Sequence, residues 1–238
     1  MKGLAFSLAA AAVLAAGVAN AQQTRLGAGG GEGSAPIFEA AFGIGVMGLD
    51  KDRTGIDESG IAGNLSFRFG TDTVPVGAEW RMYAASFDLD DEEYARDDGH
   101  IYCDTEYQIA GGDLSVLVNF NRSGIVNPYL GAGVFYESVS VESEERHGHH
   151  HHHYHTTWDD DGATYIVRAG IDVRSDALYA RADAGYIGEV YDDDDGGQFL
   201  ISGDLGVTII PQLRIDAFGH YFTEYKSFYF GIGVTFCL

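Results

Sequence analysis

From Pro36 to the end of the chain, large apolar residues recur at every second position in ten separate segments. Phe38, Ala40, Phe42, Ile44 and Val46 alternate with Glu39, Ala41, Gly43 and Gly45, and Leu114, Val116, Val118 and Phe120 alternate with Asp113, Ser115 and Asn119. The last segment sets Phe228, Phe230, Ile232, Val234 and Phe236 against Tyr229, Gly231, Gly233 and Thr235. Period two places alternate side chains on opposite faces of a strand, so each segment has one bulky apolar face and one small or polar face. The polar face carries charges of both signs: Arg68, Glu79, Arg81, Arg168, Asp172, Arg181, Asp183, Asp204, Arg214 and Asp216. A soluble sandwich or ligand-binding barrel also alternates, but it turns its apolar face inward. Here the face rich in glycine and paired charge fits a narrow interior, which leaves the Phe, Trp, Leu, Ile and Val face outward, against lipid. The fold class expected is therefore all-β: an antiparallel up-and-down transmembrane β-barrel of about ten strands, with eight as the alternative. A phase shift at Gly111-Gly112 suggests a bulge there.

The connections support this reading. Those near 71–75, 121–128, 174–177 and 210–212 are short, whereas those near 49–60, 88–104, 142–162 and 191–197 are longer and acidic, with a tight fifth near 223–227. An up-and-down barrel has this asymmetry, with short periplasmic turns, long extracellular loops and both termini on the periplasmic side. Ahead of the barrel, Lys2, the apolar run Leu4 to Val18 and Ala19-Asn20-Ala21 read as a signal peptide over 1–21. Residues 22–35, rich in glycine, read as a flexible linker, and 36–238 as the barrel. Beyond the leader no run of about 18 apolar residues offers a membrane helix. The whole chain of 238 residues has a formal charge of −22, which becomes −23 once Lys2 leaves with the leader. So acidic a chain lacks the basic patches that nucleic acid requires.

The leader, the segment Pro128-Tyr129-Leu130-Gly131-Ala132-Gly133-Val134 and the closing strand Tyr229 to Phe236 resemble the small outer-membrane β-barrel proteins of the porin-like and OmpA-like families. The resemblance covers about residues 36–236 and is one of pattern. It implies an outer-membrane location, insertion by the barrel-assembly machinery, and outer-membrane lipid and lipopolysaccharide as surroundings. Members of the family usually end on an aromatic residue, whereas here Cys237 and Leu238 follow Phe236. No peptidoglycan-binding domain follows, so an anchoring role does not carry over. Lipid-deacylating barrels use a His-x-Ser pair and outer-membrane proteases an Asp-x-His pair. His220 has Phe222 two residues on and Asp216 four residues before, so no catalytic residue is expected and the chain reads as a non-enzyme, with His220 a buried, paired histidine.

The sharpest local feature is the tract His147, His149, His150, His151, His152, His153 and His155, followed by Asp159, Asp160 and Asp161. Neutral imidazoles bind Zn, Ni and Cu, and carboxylates complete such a shell, so these ten residues are the candidate metal ligands. No cofactor is required by the reading. The same tract also fits a hydrophilic low-complexity loop or an affinity tag, although five consecutive histidines interrupted by Gly148 and Tyr154 depart from a six-histidine tag. Between Glu142 and Asp161, six carboxylates and Arg146 give −5 with neutral histidine and +2 with all seven protonated. Further acidic runs, Asp88 to Glu93 and Asp192 to Asp195, fall on the same side and suit hard divalent cations, though neither has the spacing of a calcium loop. Cys103 and Cys237 fall at opposite barrel ends, too far apart for a disulfide, and free thiols are expected. The expected function is a monomeric barrel with a structural or surface-interaction role that presents loops binding divalent cations. A narrow porin for small solutes or ions is the alternative, because opposite charges in so small a lumen tend to close it.

Overall fold

The computed structural model describes residues 36–49, 59–71, 74–96, 99–121, 124–147, 153–190, 196–223 and 226–238, with the side chains at 36–37, 71, 89–104 and 144–155 outside the description. The expected leader and linker also lie outside the described residues. Ten antiparallel strands follow one another: β1 Pro36–Gly48, β2 Ser59–Thr71, β3 Val76–Arg96, β4 Gly99–Asn119, β5 Val126–His147, β6 His153–Arg174, β7 Leu178–Ile187, β8 Gln198–Ile210, β9 Leu213–Phe222 and β10 Ser227–Cys237. Each pairs with its sequence neighbours, and β1 pairs with β10 from Glu39–Cys237 to Gly48–Phe228, closing the barrel. Closure leaves the sheet without an edge along the barrel wall, as backbone in hydrocarbon requires.

The outward face is apolar all the way round. Leu205 is 66% exposed, Ile232 64% and Leu114 60%, with Phe199, Ile201, Val134 and Val167 beside them. At ~3.3 Å per residue and a tilt of about 40°, the stretch Phe228 to Phe236 rises roughly 20 Å, near the height of an outer-membrane apolar band. Trp80, Leu205 and Phe230 all face outward as the alternation predicts. Phe67 points the same way but is only 8% exposed, because its ring lies 5.8 Å from Trp80 and 6.3 Å from Phe38.

Three expectations need correction. Gly111-Gly112 is not a bulge: Tyr83 pairs with Gly111 and Met82 with Gly112 in unbroken register, and the irregularity falls between Leu89 and Glu92. Glycine at 111 instead leaves room for Tyr83, since a Cβ there would meet the Tyr83 hydroxyl at 2.6 Å. Second, the acidic stretches 88–104 and 142–162 are not loops for most of their length. The strands β3 to β6 run 21 or 22 residues, against 10 to 13 for the rest. β5 stays paired with β6 out to Arg146–His153, while β6 and β7 pair only as far as Ile166–Ile187. A four-stranded sheet of roughly 30 Å therefore continues past the rim at the end away from the termini. Val139, Val141, Thr156, Thr157 and Trp158 have the β-branched and aromatic character that sustains such a ladder despite the carboxylates.

The third correction concerns the interior, whose ion-pair network fills only the half nearer the termini. Beyond that network lies a mainly apolar layer that includes Met47, Phe87, Ile109, Phe135, Ile166, Leu200, Phe218, Phe222 and Tyr229, with Glu137 and Gln198 as buried polar side chains at that end.

Candidate functional site

The charged residues of the polar half of the lumen come from inward positions on eight strands. Arg68 of β2, Arg81 of β3, Arg168 and Arg174 of β6, Arg181 of β7 and Arg214 of β9 stand among Glu39, Glu79, Asp113, Asp172, Asp183, Asp204 and Asp216. Glu79 is the hub. Arg181 donates to both of its oxygens, Nη1 to Oε1 at 2.5 Å and Nη2 to Oε2 at 2.9 Å, and Arg168 Nη2 reaches Oε2 at 2.6 Å. These partners lie 89 and 102 residues from Glu79 in sequence, so the bonds tie β3 across the lumen to β6 and β7.

Around the hub, Arg181 Nε donates to the Tyr129 hydroxyl at 2.7 Å, and that hydroxyl donates to Asp183 at 3.0 Å. The Tyr129 ring also receives the guanidinium faces of Arg181 and Arg68, 4.9 and 5.7 Å from its centroid. It sits over Gly170, where any Cβ would strike its hydroxyl and ring. Arg81 pairs with Asp113 at 2.7 Å and Arg68 with Asp172 at 2.7 Å. Nearer the termini, Arg174 pairs with Glu39 at 2.9 Å and Arg214 with Asp216 at 2.5 Å, and Thr235 donates to Asp216. Arg214 lies 3.7 Å over the Tyr179 ring.

Such a network is strong because its central carboxylates Glu79, Asp113 and Asp172 each meet at least two guanidinium groups. Chemically it is a brace. Its arginines and carboxylates are engaged with one another across the bore, which holds the wall at fixed diameter.

His220 is paired, as expected, but only half-buried, and its partner was not legible in the sequence. Ser202 on β8 stands opposite it in register, and Nδ1 lies 3.0 Å from the Ser202 hydroxyl oxygen. The ring stacks on Tyr229, 5.6 Å away at 23°. His220, though not Ser202, lines a cavity of about 70 Å³, which is too small for a lipid or peptide substrate.

The candidate metal ligands fall elsewhere. Backbone pairing places His147 at the end of β5 opposite Ile101, and His153 and His155 at the start of β6 opposite Arg146 and Glu144. The side chains of these three, and all of His149, His150, His151 and His152, lie outside the described residues. Asp159 and Asp161 share one exposed face of β6, where Asp159 accepts a hydrogen bond from Ser140 at 2.6 Å, whereas Asp160 turns to the other face. Among the described residues no three His, Cys, Asp or Glu gather closely enough to hold a metal ion. Cys237 is a free thiol, as expected, and the side chain of Cys103 lies outside the description.

Closed wall, apolar exterior and ion-paired bore together define a transmembrane β-barrel of the up-and-down type, with ten strands and an obstructed lumen. No family model matches the chain, and no curated protein does. Solved structures that resemble it are bacterial barrels. The attachment invasion locus protein Ail of Yersinia pestis, bound to a heparin analogue, is 10% identical with a TM-score of 0.44, over 85% of this chain and 99% of that one. The outer membrane protease OmpT from Escherichia coli is 8% identical with a TM-score of 0.49, over 85% and 96%. The N-terminal β-barrel domain of OprF from Pseudomonas aeruginosa is 13% identical with a TM-score of 0.36, over 87% and 100%. At these levels the likeness is one of architecture, and the assignment rests on the chain's own geometry.

Proposed function

We propose that this protein is an outer-membrane barrel, exported through its leader, with a structural and surface-interaction role. On this reading it holds an acidic, histidine-rich sheet above the membrane, where that sheet binds divalent cations. The observation that carries the reading is the division of labour between the two ends: a bore braced by ion pairs and filled by an apolar layer, and four strands extended past the rim. A barrel built to pass solutes would spend its length on an open lumen; this one extends its sheet outward instead. The seven histidines of 147–155 would take Zn, Ni or Cu through neutral rings, with Asp159, Asp160 and Asp161 close in sequence to supply charge. Divalent ions between the acidic strands and anionic lipopolysaccharide would fasten the sheet to the surrounding surface. No catalytic step belongs to this function, and a single chain completes the barrel.

The test is calorimetric titration of Zn²⁺ or Ni²⁺ into the folded protein in detergent at neutral pH, with and without residues His147 to His155. Tight binding that disappears with the deletion supports the reading. Binding that survives moves the site to the acidic strands around 88–104 and refutes this assignment.

A further inference from the structure

The lumen is not blocked evenly. A cleft of about 340 Å³ opens at the mouth beside the termini and shares Glu39, Tyr179 and Arg214 with a smaller cavity of about 60 Å³ behind it. That cavity shares Asn64, Ser66, Glu79, Arg181 and Asp204 with a third, of about 70 Å³. The three follow one another from the mouth to the middle of the barrel. Their walls hold polar atoms with no hydrogen-bond partner among the described residues: Asn64 Oδ1, Arg68 Nη1 and Arg81 Nη2. Buried donors and acceptors left in this state take water, and each inner cavity has volume for about four molecules.

The series ends at Phe135, Leu200, Phe222 and Tyr229, which line the far side of the third cavity. These belong to the apolar layer, and every strand contributes to it: Met47 from β1, Ala62 from β2, Phe87 from β3, Ile109 from β4, Phe135 from β5, Ile166 from β6, Ile187 from β7, Leu200 from β8, Phe222 from β9 and Tyr229 from β10. Tyr83 packs against both halves of the layer and joins them. Ile166 and Ile187 are 0% exposed.

One carboxylate, Glu137, lies within the layer between Phe135 and Val139 and is capped by the Tyr83 hydroxyl, which donates to it at 2.5 Å. A constriction otherwise packed with apolar side chains excludes ions by dewetting. We propose that the apolar septum, and not the ion-paired layer, is the permeability barrier of this barrel. The lumen is a water-filled well that admits small ions from the mouth beside the termini and is blind at the septum. The ion pairs hold the wall; the septum seals it.

Two experiments on the full chain test this. In planar bilayers with potassium chloride, the wild type is expected to be silent, Leu200→Ala combined with Phe222→Ala to give steady conductance, and Glu79→Gln combined with Arg181→Gln to remain silent. Each variant is first shown to be folded by heat-modifiable migration. Conductance by the wild type or the charge-neutralised variant, or silence from a folded septum variant, overturns the proposal. The second experiment leaves the large septum side chains and the ion pairs in place. In a Cys103→Ser, Cys237→Ser background, silver ion added on the termini side of oriented vesicles is expected to react at Ser66→Cys in the well at least tenfold faster than at Ala62→Cys in the septum. Equal rates at the two positions contradict it.

Discussion

At the scale of single residues, Glu79 concentrates the energetics of the interior. It is the shared acceptor for Arg168 and Arg181, both nine-tenths or more buried. Glu79→Gln keeps the shape but leaves two guanidinium groups short of countercharge, and we expect a loss of roughly 3–5 kcal/mol. Urea unfolding of the barrel in lipid vesicles measures it. Asp204→Asn is the matched control, because no arginine among the described residues reaches Asp204 within ion-pair distance, and a much smaller change is expected. On the outer face, Leu205→Arg should cost ~2–4 kcal/mol if the position lies near the bilayer midplane. The same unfolding measurement in vesicles reads that loss, and an unchanged midpoint would place Leu205 outside the apolar band. Which residues face inward could be read from the sequence, since period two alone fixes the face. Which charge meets which could not. Glu79 finds Arg168 only after six strands have curved through closure, and that stagger is invisible to a pattern that repeats every two residues.

At the scale of elements, the strand count was legible, because turn residues and apolar runs mark it. The alternation of connection lengths was not, since β3 ends at Arg96 with β4 beginning at Gly99, and β5 ends at His147 with β6 beginning at His153. Nor were the lengths of β3 to β6. Runs such as Asp88 to Glu93 and Glu142 to Arg146 look like solvated loops by charge, yet pairing with a neighbouring strand supplies backbone hydrogen bonds that charge does not forbid. For the histidine-bearing ends of β5 and β6, pH gives a direct prediction. Model histidine titrates near ~6.5, and a metal ion needs the neutral ring. Binding is therefore complete above that pH and lost as pH falls through it, while the segment Glu142 to Asp161 swings from −5 toward +2. Zn²⁺ retained at about pH 5, measured by equilibrium dialysis, would point to carboxylate ligands. Removing His147 to His155 should leave heat-modifiable migration unchanged, because all ten strands complete the barrel wall below that end.

At the scale of the whole molecule, the sequence shows an apolar exterior and a charged interior, but it conceals that the interior changes character halfway along. On β4 the apolar residues Tyr107 and Ile109 point inward beside outward Gln108 and Ala110, whereas farther along Leu114, Val116 and Val118 point outward, so the apolar residues change face without any break in register. The phase shift at Gly111-Gly112 has this origin. Ion pairs near the termini, an apolar septum beyond them and an extended sheet past the rim together describe a wall fixed in lipid that presents its far end. All of this depends on which face of the strands meets the membrane. The most direct measurement places a spin label at each position from Ile201 to Val207 on β8, in lipid vesicles, and reads accessibility to oxygen, which partitions into the bilayer. High accessibility at Ile201, Gly203, Leu205 and Val207 alternating with low accessibility at Ser202, Asp204 and Gly206 is the predicted result. Equal accessibility along the strand, or a mature protein that purifies as a soluble monomer without detergent, would contradict it.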